Sequence, residues 1–340
     1  MNNLKFDQSK ERDFIAVGRL CVDLNANEIL RPMEETKTFT KYLGGSPANI
    51  TVAMAQLGMK TGFIGRVSDD QFGRFILGYL KEKNIDTSNV VVDQSGSVTG
   101  LAFTEIKSPT DCSILMYRDN AADLKLDPKD VQEEYIKNTK ALLISGTALA
   151  KSPSREAVFL ALDFARKHNV VVFFDIDYRP YTWVSPEETA IYYNLAAEKC
   201  DVIIGTREEF DMMEALTNAG NKDDRVTAQK WFGYNAQIVV IKHGKDGSIA
   251  YTKEGEAIEG TILPAKIVKT FGAGDSYAGA FIYNLMQGKS IAEAMKYGAA
   301  SASLVISSHS CSDAMPTIEQ LDAFIAKCES GEIYKEEGWV

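Results

Sequence analysis

With 340 residues, 45% of them hydrophobic and 25% charged, the chain has the size and composition of a globular protein of one large domain or two ordinary ones. Its net charge of −10 argues against nucleic acid or an anionic membrane as the main partner. The first thirteen residues lack the apolar core of a signal peptide, and no apolar run approaches the ~20 residues of a spanning helix. Five cysteines without CxxC spacing argue against disulfides and a thiolate zinc site. We therefore expect a cytoplasmic protein.

Short β-rich segments alternate with amphipathic helical segments, which is typical of a parallel sheet with helices on both faces. In chain order, strands are predicted at residues 14–17, 61–67, 141–145, 170–175, 202–204 and 238–241. Helices are predicted to begin at or next to the capping residues Ser46, Asp70, Ser152, Ser185 and Ser290. The chain has no internal repeat or linker-like segment, so residues 1–340 are expected to form a single α/β domain.

Two regions interrupt this alternation. Residues 19–41 are polar and irregular, and residues 97–118 read as a hairpin that turns at 108–110. We predict that segments 19–43 and 97–120 form a small β-sheet that projects from the main sheet and covers a site as a lid. Such a lid would exclude water and could pair with a second subunit. The alternative is a pair of surface hairpins without a role.

The sequence Thr-Phe-Gly-Ala-Gly-Asp at 270–275 precedes an apolar pattern of helical spacing that ends near Gly288. A small-residue turn at a helix start offers unpaired backbone N–H groups, which suit a phosphate. The carboxylate of Asp275 would be repelled there unless it accepts a proton from a hydroxyl that attacks the phosphate. The motif therefore indicates phosphoryl transfer.

Two other glycine-rich segments are ambiguous on their own. Gly244 and Gly247 follow the strand at 238–241, where they either let the backbone approach a nucleotide or make an ordinary turn into residues 248–251. The sequence Gly-Gly-Ser-Pro-Ala-Asn at 44–49 is either a tight turn or a second helix entry that could bind a polyhydroxylated ligand.

Together these residues resemble the ribokinase-type (phosphofructokinase-B) family of sugar kinases, and the resemblance covers nearly the whole chain. Residues 44–49 with Gly58 and Gly73 are similar to the N-terminal signature of the family, and residues 272–275 with 278–281 are similar to the C-terminal one. The resemblance implies a ribokinase-like fold, which is a three-layer, doubly wound, mostly parallel α/β sheet with a projecting β-sheet lid. It also implies ATP and Mg²⁺ as cofactors.

The resemblance also implies residue roles. Asp275 would be the base, and the backbone N–H groups of Gly272, Ala273 and Gly274 would form an anion hole. ATP would lie along Lys242, Gly244, Gly247 and Gly274. Hydroxyl groups of the sugar would be bound by Asp23, Gly44, Gly45 and Asn49. From its position alone, Asp23 could equally be a turn residue after the first strand.

Two positions depart from the family pattern. The family often has Asn-x-x-Glu near the metal, whereas residues 205–208 read Gly-Thr-Arg-Glu. Glu208 would act on Mg²⁺ through water, or it would be only a first-turn glutamate that interacts favourably with the helix dipole. Lys269 stands where the family often has an aspartate that helps to hold a monovalent cation. An ammonium group there would repel K⁺, so we expect that K⁺ is not required. The alternative is a solvent-exposed lysine.

Two arginines indicate an anionic substrate. Arg179 follows the strand at 170–175, at the end of the sheet where ligands bind, and Arg118 ends a lid strand. Guanidinium groups bind carboxylates in a two-pronged way, although either residue could be a plain surface arginine.

Within the family, residues 178–183 are similar to the branch that acts on 2-keto-3-deoxygluconate. Residues 18–25, 145–149 and 271–275 are closer to the branch that acts on 5-dehydro-2-deoxy-D-gluconate in myo-inositol breakdown. The resemblance thus implies transfer of phosphate from ATP to the terminal hydroxyl of a keto-deoxy sugar acid. A fructokinase or a non-catalytic sugar-binding regulator remains an alternative.

The resemblance further implies a homodimer formed through the lid. A nicotinamide dehydrogenase is disfavoured, because no Gly-x-Gly-x-x-Gly follows the first strand. No role follows for His168, His243 and His309 or for the C-terminal stretch 331–340, which includes Trp339.

Overall fold

A computed structural model of the chain describes residues 3–335, and Trp339 lies outside the described residues. The strands are β1 (Arg12–Val17), β2 (Cys21–Ala26), β3 (Phe39–Gly44), β4 (Thr61–Ser68), β5 (Asp86–Asp93), β6 (Gly100–Ser108), β7 (Asp111–Tyr117), β8 (Thr139–Ser145), β9 (Val171–Asp175), β10 (Val202–Thr206), β11 (Ile238–Lys242), β12 (Ser248–Thr252) and β13 (Ala257–Gly260). The helices are α1 (Ser46–Gln56), α2 (Gln71–Glu82), α3 (Glu133–Lys137), α4 (Ser154–Lys167), α5 (Pro186–Ala197), α6 (Arg207–Glu214), α7 (Asp224–Phe232), α8 (Ala273–Met286), α9 (Ile291–Ile306) and α10 (Ile318–Glu329).

The main sheet has the strand order β13-β12-β11-β10-β9-β8-β1-β4-β5 in the described part of the chain. Neighbours from β11 to β5 pair in parallel, and β12 and β13 add an antiparallel edge. A second sheet has the order β3-β2-β6-β7. The carboxyl ends of the parallel strands therefore meet at one edge of the main sheet, which is where open α/β sheets bind ligands.

The core has two layers, one on each face of the main sheet. Side chains alternate between faces along a strand, so Phe14 and Ala16 face α1, α2, α8 and α9, whereas Ile15 and Val17 face α3 to α7. Helix α10 packs outside this arrangement against α8 and α9, where Ile333 is also buried. The predicted three-layer, mostly parallel fold with an additional small sheet is confirmed.

Local predictions were less accurate at two helix starts. Ser46 was expected to cap α1, but the cap residue is Gly45, and the Ser46 hydroxyl instead donates a hydrogen bond to Asp175 at 2.5 Å. Ser152 was expected to cap α4, but the cap residue of that helix is Pro153. The caps at Asp70, Ser185 and Ser290 are confirmed. The two wrong caps share a Ser-Pro sequence, but the proline lies in the first turn of α1 and is itself the cap residue of α4. In both cases the serine hydroxyl binds a carboxylate, Asp175 for Ser46 and Glu156 for Ser152.

Helices α1 and α8 pack against each other with little space between them. A Cβ on Gly279 of α8 would lie 2.5 Å from the Cβ of Ala53 in α1. Since a Cβ contact below 3.0 Å forces atoms to move, the glycine sets the distance between the two helices. Both helices begin at the same end of the sheet, with Asn49 in the first turn of α1 and Asp275 in the first turn of α8.

We expect Gly279→Ala to lower the free energy of unfolding by about 1–3 kcal/mol, because the added methyl group overpacks this contact. We also expect kcat to fall, because separation of the helices moves Asn49 away from Asp275. Gly78→Ala is the matched control, since a Cβ at that position in α2 meets open space. The control should keep its activity and gain up to about 1 kcal/mol of stability.

The double variant Ala53→Gly with Gly279→Ala removes the Ala53 methyl group that the new Cβ would meet. It should therefore recover most of the lost kcat. Chemical denaturation and steady-state kinetics measure both effects. A Gly279→Ala protein with wild-type stability and kcat would show that this contact does not position the site.

Candidate active site beneath the small sheet

A cavity lies between the small sheet and the carboxyl ends of the parallel strands. Its lining comes from the small sheet, from the starts of α1 and α8 and from the loop after β9. The lining residues are Arg19, Asp23, Gly45, Ser46, Asn49, Ala102, Thr104, Ile114, Met116, Arg179, Tyr181, Phe271, Gly272, Asp275 and Cys311. Since β2, β6 and β7 each contribute side chains, these strands with β3 cover the cavity, and we call them the lid.

The start of α8 places a carboxylate beside unpaired backbone donors. Gly272 is the cap residue and has a left-handed backbone, φ +85°, and a Cβ there would lie 2.6 Å from the Cys311 sulfur. Only glycine fits this turn. Ala273 and Gly274 are the first two helical residues, so their N–H groups have no partner within the helix, and Asp275 follows them.

Asp275 is held by the start of α1. The Asn49 side-chain amide donates a hydrogen bond to its Oδ2 at 2.8 Å. Burial, and then the nearby charge of Asp177, raise the pKa of Asp275, although the bond from Asn49 acts in the opposite direction. A raised pKa makes the ionised carboxylate a stronger proton acceptor. The Asn49 carbonyl oxygen is buried without a partner among the described residues, so it can accept a bond from a ligand hydroxyl.

Asp23, Gly44 and Gly45 lie together, as the resemblance implied. A Cβ on Gly44 would lie 1.9 Å from an Asp23 carboxylate oxygen, so the glycine leaves room for that side chain. Gly45 has φ +103° and approaches the Arg19 carbonyl oxygen so closely that a Cβ would lie 2.4 Å from it. Burial raises the pKa of Asp23 to about 7, although the charge of Arg19 opposes this effect.

Lys242 ends β11 and extends to the turn before α8. Its Nζ lies 3.4 Å from the position of a Cβ on Gly274, so its charge lies beside the unpaired N–H groups at the start of α8. Gly244 has φ +59°, is exposed and faces open space, which leaves its backbone accessible to a nucleotide. Gly247, φ +89°, approaches the Gly260 carbonyl oxygen, and a Cβ there would lie 2.5 Å from it. The turn into β12 is therefore also present, and packing alone explains Gly247.

Lys269 is fully buried, so the alternative of a solvent-exposed lysine is wrong. Its Nζ donates hydrogen bonds to the carbonyl oxygens of Phe271 at 2.8 Å and Val305 at 3.1 Å. Carbonyl oxygens are ligands that suit a hard cation. The Lys269 ammonium group thus holds the turn that precedes α8.

Arg118 and Glu208 lie outside the cavity, and only for Arg118 does this correct a predicted contact with the substrate. Arg118 does not line the cavity, because its guanidinium group is paired with Asp123 and also donates to the Thr147 carbonyl oxygen at 3.1 Å. It is a structural ion pair at the base of the lid rather than a contact for the substrate. Glu208 is exposed and does not line the cavity either. Its neighbour Glu209 accepts hydrogen bonds from the backbone N–H groups of Thr206 and Tyr178 at this end of the sheet.

Sequence reasoning missed Arg19 and Asp177. Arg19 lines the cavity and is 5% exposed, and Asp177 binds both Arg19 and Arg179. The signal was present, because Arg19 lies in the segment 18–25 that carried the family resemblance. Asp177 also has a left-handed backbone, φ +39°, which is rare for a residue other than glycine.

The three histidines have structural partners. The Nε2 atoms of His168 and His243 lie 2.7 Å from carboxylate oxygens of Glu133 and Asp224. His309 connects the loop after α9 to the lid, because its ring nitrogens contact the Ala26 carbonyl oxygen at 2.7 Å and the Tyr42 hydroxyl at 3.1 Å. His309 thus helps to hold the lid over the cavity.

Residues 11–318 match the family described as pfkB family carbohydrate kinase. The chain belongs to this family. It is 76% identical to a protein of Geobacillus thermodenitrificans named 5-dehydro-2-deoxygluconokinase over 325 residues, which is 96% of each chain. Proteins with the same name from Geobacillus kaustophilus and Bacillus anthracis are 75% and 70% identical, over 97% of this chain and 98% and 99% of theirs.

Solved structures of the family have the same fold. A PfkB protein from Polaromonas sp. aligns with a TM-score of 0.80 and 26% identity over 92% of this chain and all of its own. A fructokinase with bound ATP from Xylella fastidiosa has a TM-score of 0.83 at 23% identity, over 93% of this chain and 99% of its own. A putative ribokinase II from Escherichia coli, in complex with ATP and Mg²⁺, has a TM-score of 0.83 at 22% identity over 93% and 100%. The ribokinase-like fold that the sequence predicted is confirmed.

Residues 3–335, which the structure describes, contain neither a candidate membrane-spanning helix nor a ready-made metal cluster. None of their helices combines the length and the apolar character that crossing a membrane requires. No group of three or more histidine, cysteine or acidic side chains among them is arranged to hold a metal ion.

Proposed function

We propose that this carbohydrate kinase transfers phosphate from ATP to the terminal hydroxyl of 5-dehydro-2-deoxy-D-gluconate and gives the 6-phosphate, a step in myo-inositol breakdown. The observation that carries this proposal is the 70–76% identity, over nearly the full length, to proteins named for this reaction. The cavity supports it, because it combines a base, an anion hole and arginines that suit a sugar acid.

In this proposal Asp275 accepts the proton of the attacking hydroxyl while its hydrogen bond from Asn49 fixes its orientation. The N–H groups of Ala273 and Gly274 stabilise the negative charge that develops on the phosphoryl group. Asp23 and the free Asn49 carbonyl oxygen bind hydroxyls of the sugar. The backbone of Gly44 and Gly45 shapes this side of the cavity.

The nucleotide would lie along Lys242, Gly244, Gly247 and Gly274, although the close approach of Gly247 to Gly260 by itself requires a glycine there. Mg²⁺ would neutralise phosphate charge when bound. Because no ready-made carboxylate cage is present in the described chain, the ion would be carried mainly by phosphate oxygens and water. Glu208, which is exposed in the first turn of α6, would bind it through water.

Assembly and location are further parts of the proposal. Strand β7 is an edge of the lid, with Leu115 and Tyr117 half exposed or more, which supports pairing of two lids in a homodimer. All five cysteines are free thiols, which favours a reducing compartment such as the cytoplasm.

We also propose that Lys269 replaces a monovalent cation, because its ammonium group already donates hydrogen bonds to carbonyl oxygens beside the proposed anion hole. The rate should therefore not change when Na⁺ is replaced by K⁺ at constant ionic strength. Lys269→Met should lower kcat, since two carbonyl groups lose their donor, whereas Lys253→Met at an exposed position should not. A several-fold rise of the wild-type rate with K⁺ would contradict this role.

A coupled ADP assay tests the substrate. We expect the highest kcat/KM with 5-dehydro-2-deoxy-D-gluconate, ahead of 2-keto-3-deoxygluconate, gluconate, fructose and ribose, because the cavity arginines favour an acid. Phosphorus NMR should place the phosphate on the terminal carbon. A preference for fructose or ribose would contradict the proposed substrate. Binding of a sugar without release of ADP would instead indicate a non-catalytic regulator.

A further inference from the structure

Arg19 is a buried cation whose donors are mostly unused. It follows β1, lines the cavity and is 5% exposed. Its Nη2 lies 3.5 Å from Asp177 Oδ2, whereas Nε and Nη1 have no hydrogen-bond partner among the described residues. Buried donors are nearly always paired, so unpaired guanidinium nitrogens in a cavity wall indicate a missing partner. An arginine fork matches a planar two-oxygen anion.

Asp177 holds Arg19 and Arg179 next to each other. Its Oδ1 lies 2.7 Å from Arg179 Nη2, and its Oδ2 faces Arg19. The hydroxyls of Ser145 and Thr147 also donate to Oδ2, each at 3.3 Å. Two guanidinium groups therefore share one carboxylate at this part of the wall. Asp177 thus contacts both guanidinium groups, and on Arg19 it contacts only Nη2, which leaves the N–H donors of Nε and Nη1 for another partner.

We propose that Arg19, beside Arg179 and oriented by Asp177, binds the carboxylate of the sugar acid and makes the enzyme specific for acids. This inference rests on the proposed function and identifies the residue that recognises the carboxylate of the substrate. The terminal phosphate of ATP is the other candidate anion. The N–H groups at the start of α8 and the nearby Lys242 ammonium group suit that phosphate. Arg19 lies elsewhere, between β1 and β2, the lid strand that carries Asp23.

The test compares the sugar acid with its carboxamide, which has the same shape without the charge. The variants are Arg19→Met and Arg19→Lys, and the matched control is Arg118→Met, another buried arginine in an ion pair but outside the cavity. Each protein is measured for KM and kcat with both sugars, for KM of ATP and for its melting temperature. The melting temperature separates lost folding from lost recognition.

We expect Arg19→Met to raise KM for 5-dehydro-2-deoxy-D-gluconate about 10- to 100-fold, because a charge-assisted hydrogen bond to the ground state is lost. Kinetics with the carboxamide and KM of ATP should change little, so the preference for the acid disappears. Arg19→Lys should keep part of the preference, since it retains the charge without the fork. Arg118→Met should lower the melting temperature but keep the preference.

Equal losses on the acid and the carboxamide in a folded Arg19→Met protein would overturn the proposal. A selective rise in KM of ATP would assign Arg19 to the nucleotide and would overturn it as well. If the wild type does not phosphorylate this acid, the proposed substrate fails. The same comparison, made with the sugar acid that the wild type prefers, then decides the role of Arg19, and activity on neutral sugars alone would refute it.

Discussion

The hydrogen bond between Asn49 and Asp275 joins the first turns of α1 and α8, although the two residues are 226 positions apart in the chain. The rest of the site depends on this junction. The close contact between Ala53 and Gly279 sets the separation of α1 and α8, and both helices start at the carboxyl end of the parallel strands. Helix α8 then supplies the Asp275 carboxylate and the unpaired N–H groups, and α1 orients that carboxylate through Asn49.

Electrostatics divide the buried carboxylates of this region into two kinds. Burial raises the pKa of Asp175 to about 7, although Lys242 opposes this effect, and burial raises that of Asp23 to about 7. Burial also disfavours the charge of Asp177, but Arg179 and Arg19 outweigh it and lower its pKa. Such differences between neighbouring groups are typical of functional sites. The ionised Asp177 can therefore fix two arginines, whereas burial lets Asp23 carry a proton at a higher pH than an exposed aspartate does.

The fold and the glycine-rich motifs were largely readable from the sequence. Apolar runs such as 170–175 and 238–241 identify buried parallel strands, because both faces of such strands are covered. Strand β5 was missed because it begins with the polar residues of 86–89, which carry little strand signal. The turn at Gly272 was recognisable because only small residues allow the backbone geometry that the motif needs.

The partners of charged side chains were not readable, because the tertiary fold chooses them. Arg118 looked like a site residue at the end of a lid strand, but it forms an ion pair with Asp123, five positions further along the chain. The sequence left open whether Lys269 acts at the cation position or is exposed, and only the structure shows that it donates to the carbonyl oxygens of Phe271 and Val305. Ser46 had the sequence of a helix cap, but its hydroxyl binds Asp175 across the sheet edge.

The central claim is that Asp275 is the base of a phosphoryl transfer, and the most direct measurement is the single-turnover rate of Asp275→Asn with ATP and the sugar acid. Loss of general-base help should lower this rate by about 10²–10⁴-fold. ATP affinity, measured by calorimetry, should stay near that of the wild type, because the anion hole and Lys242 remain. A rate within a few-fold of the wild type, in a variant that folds and binds ATP, would contradict the account.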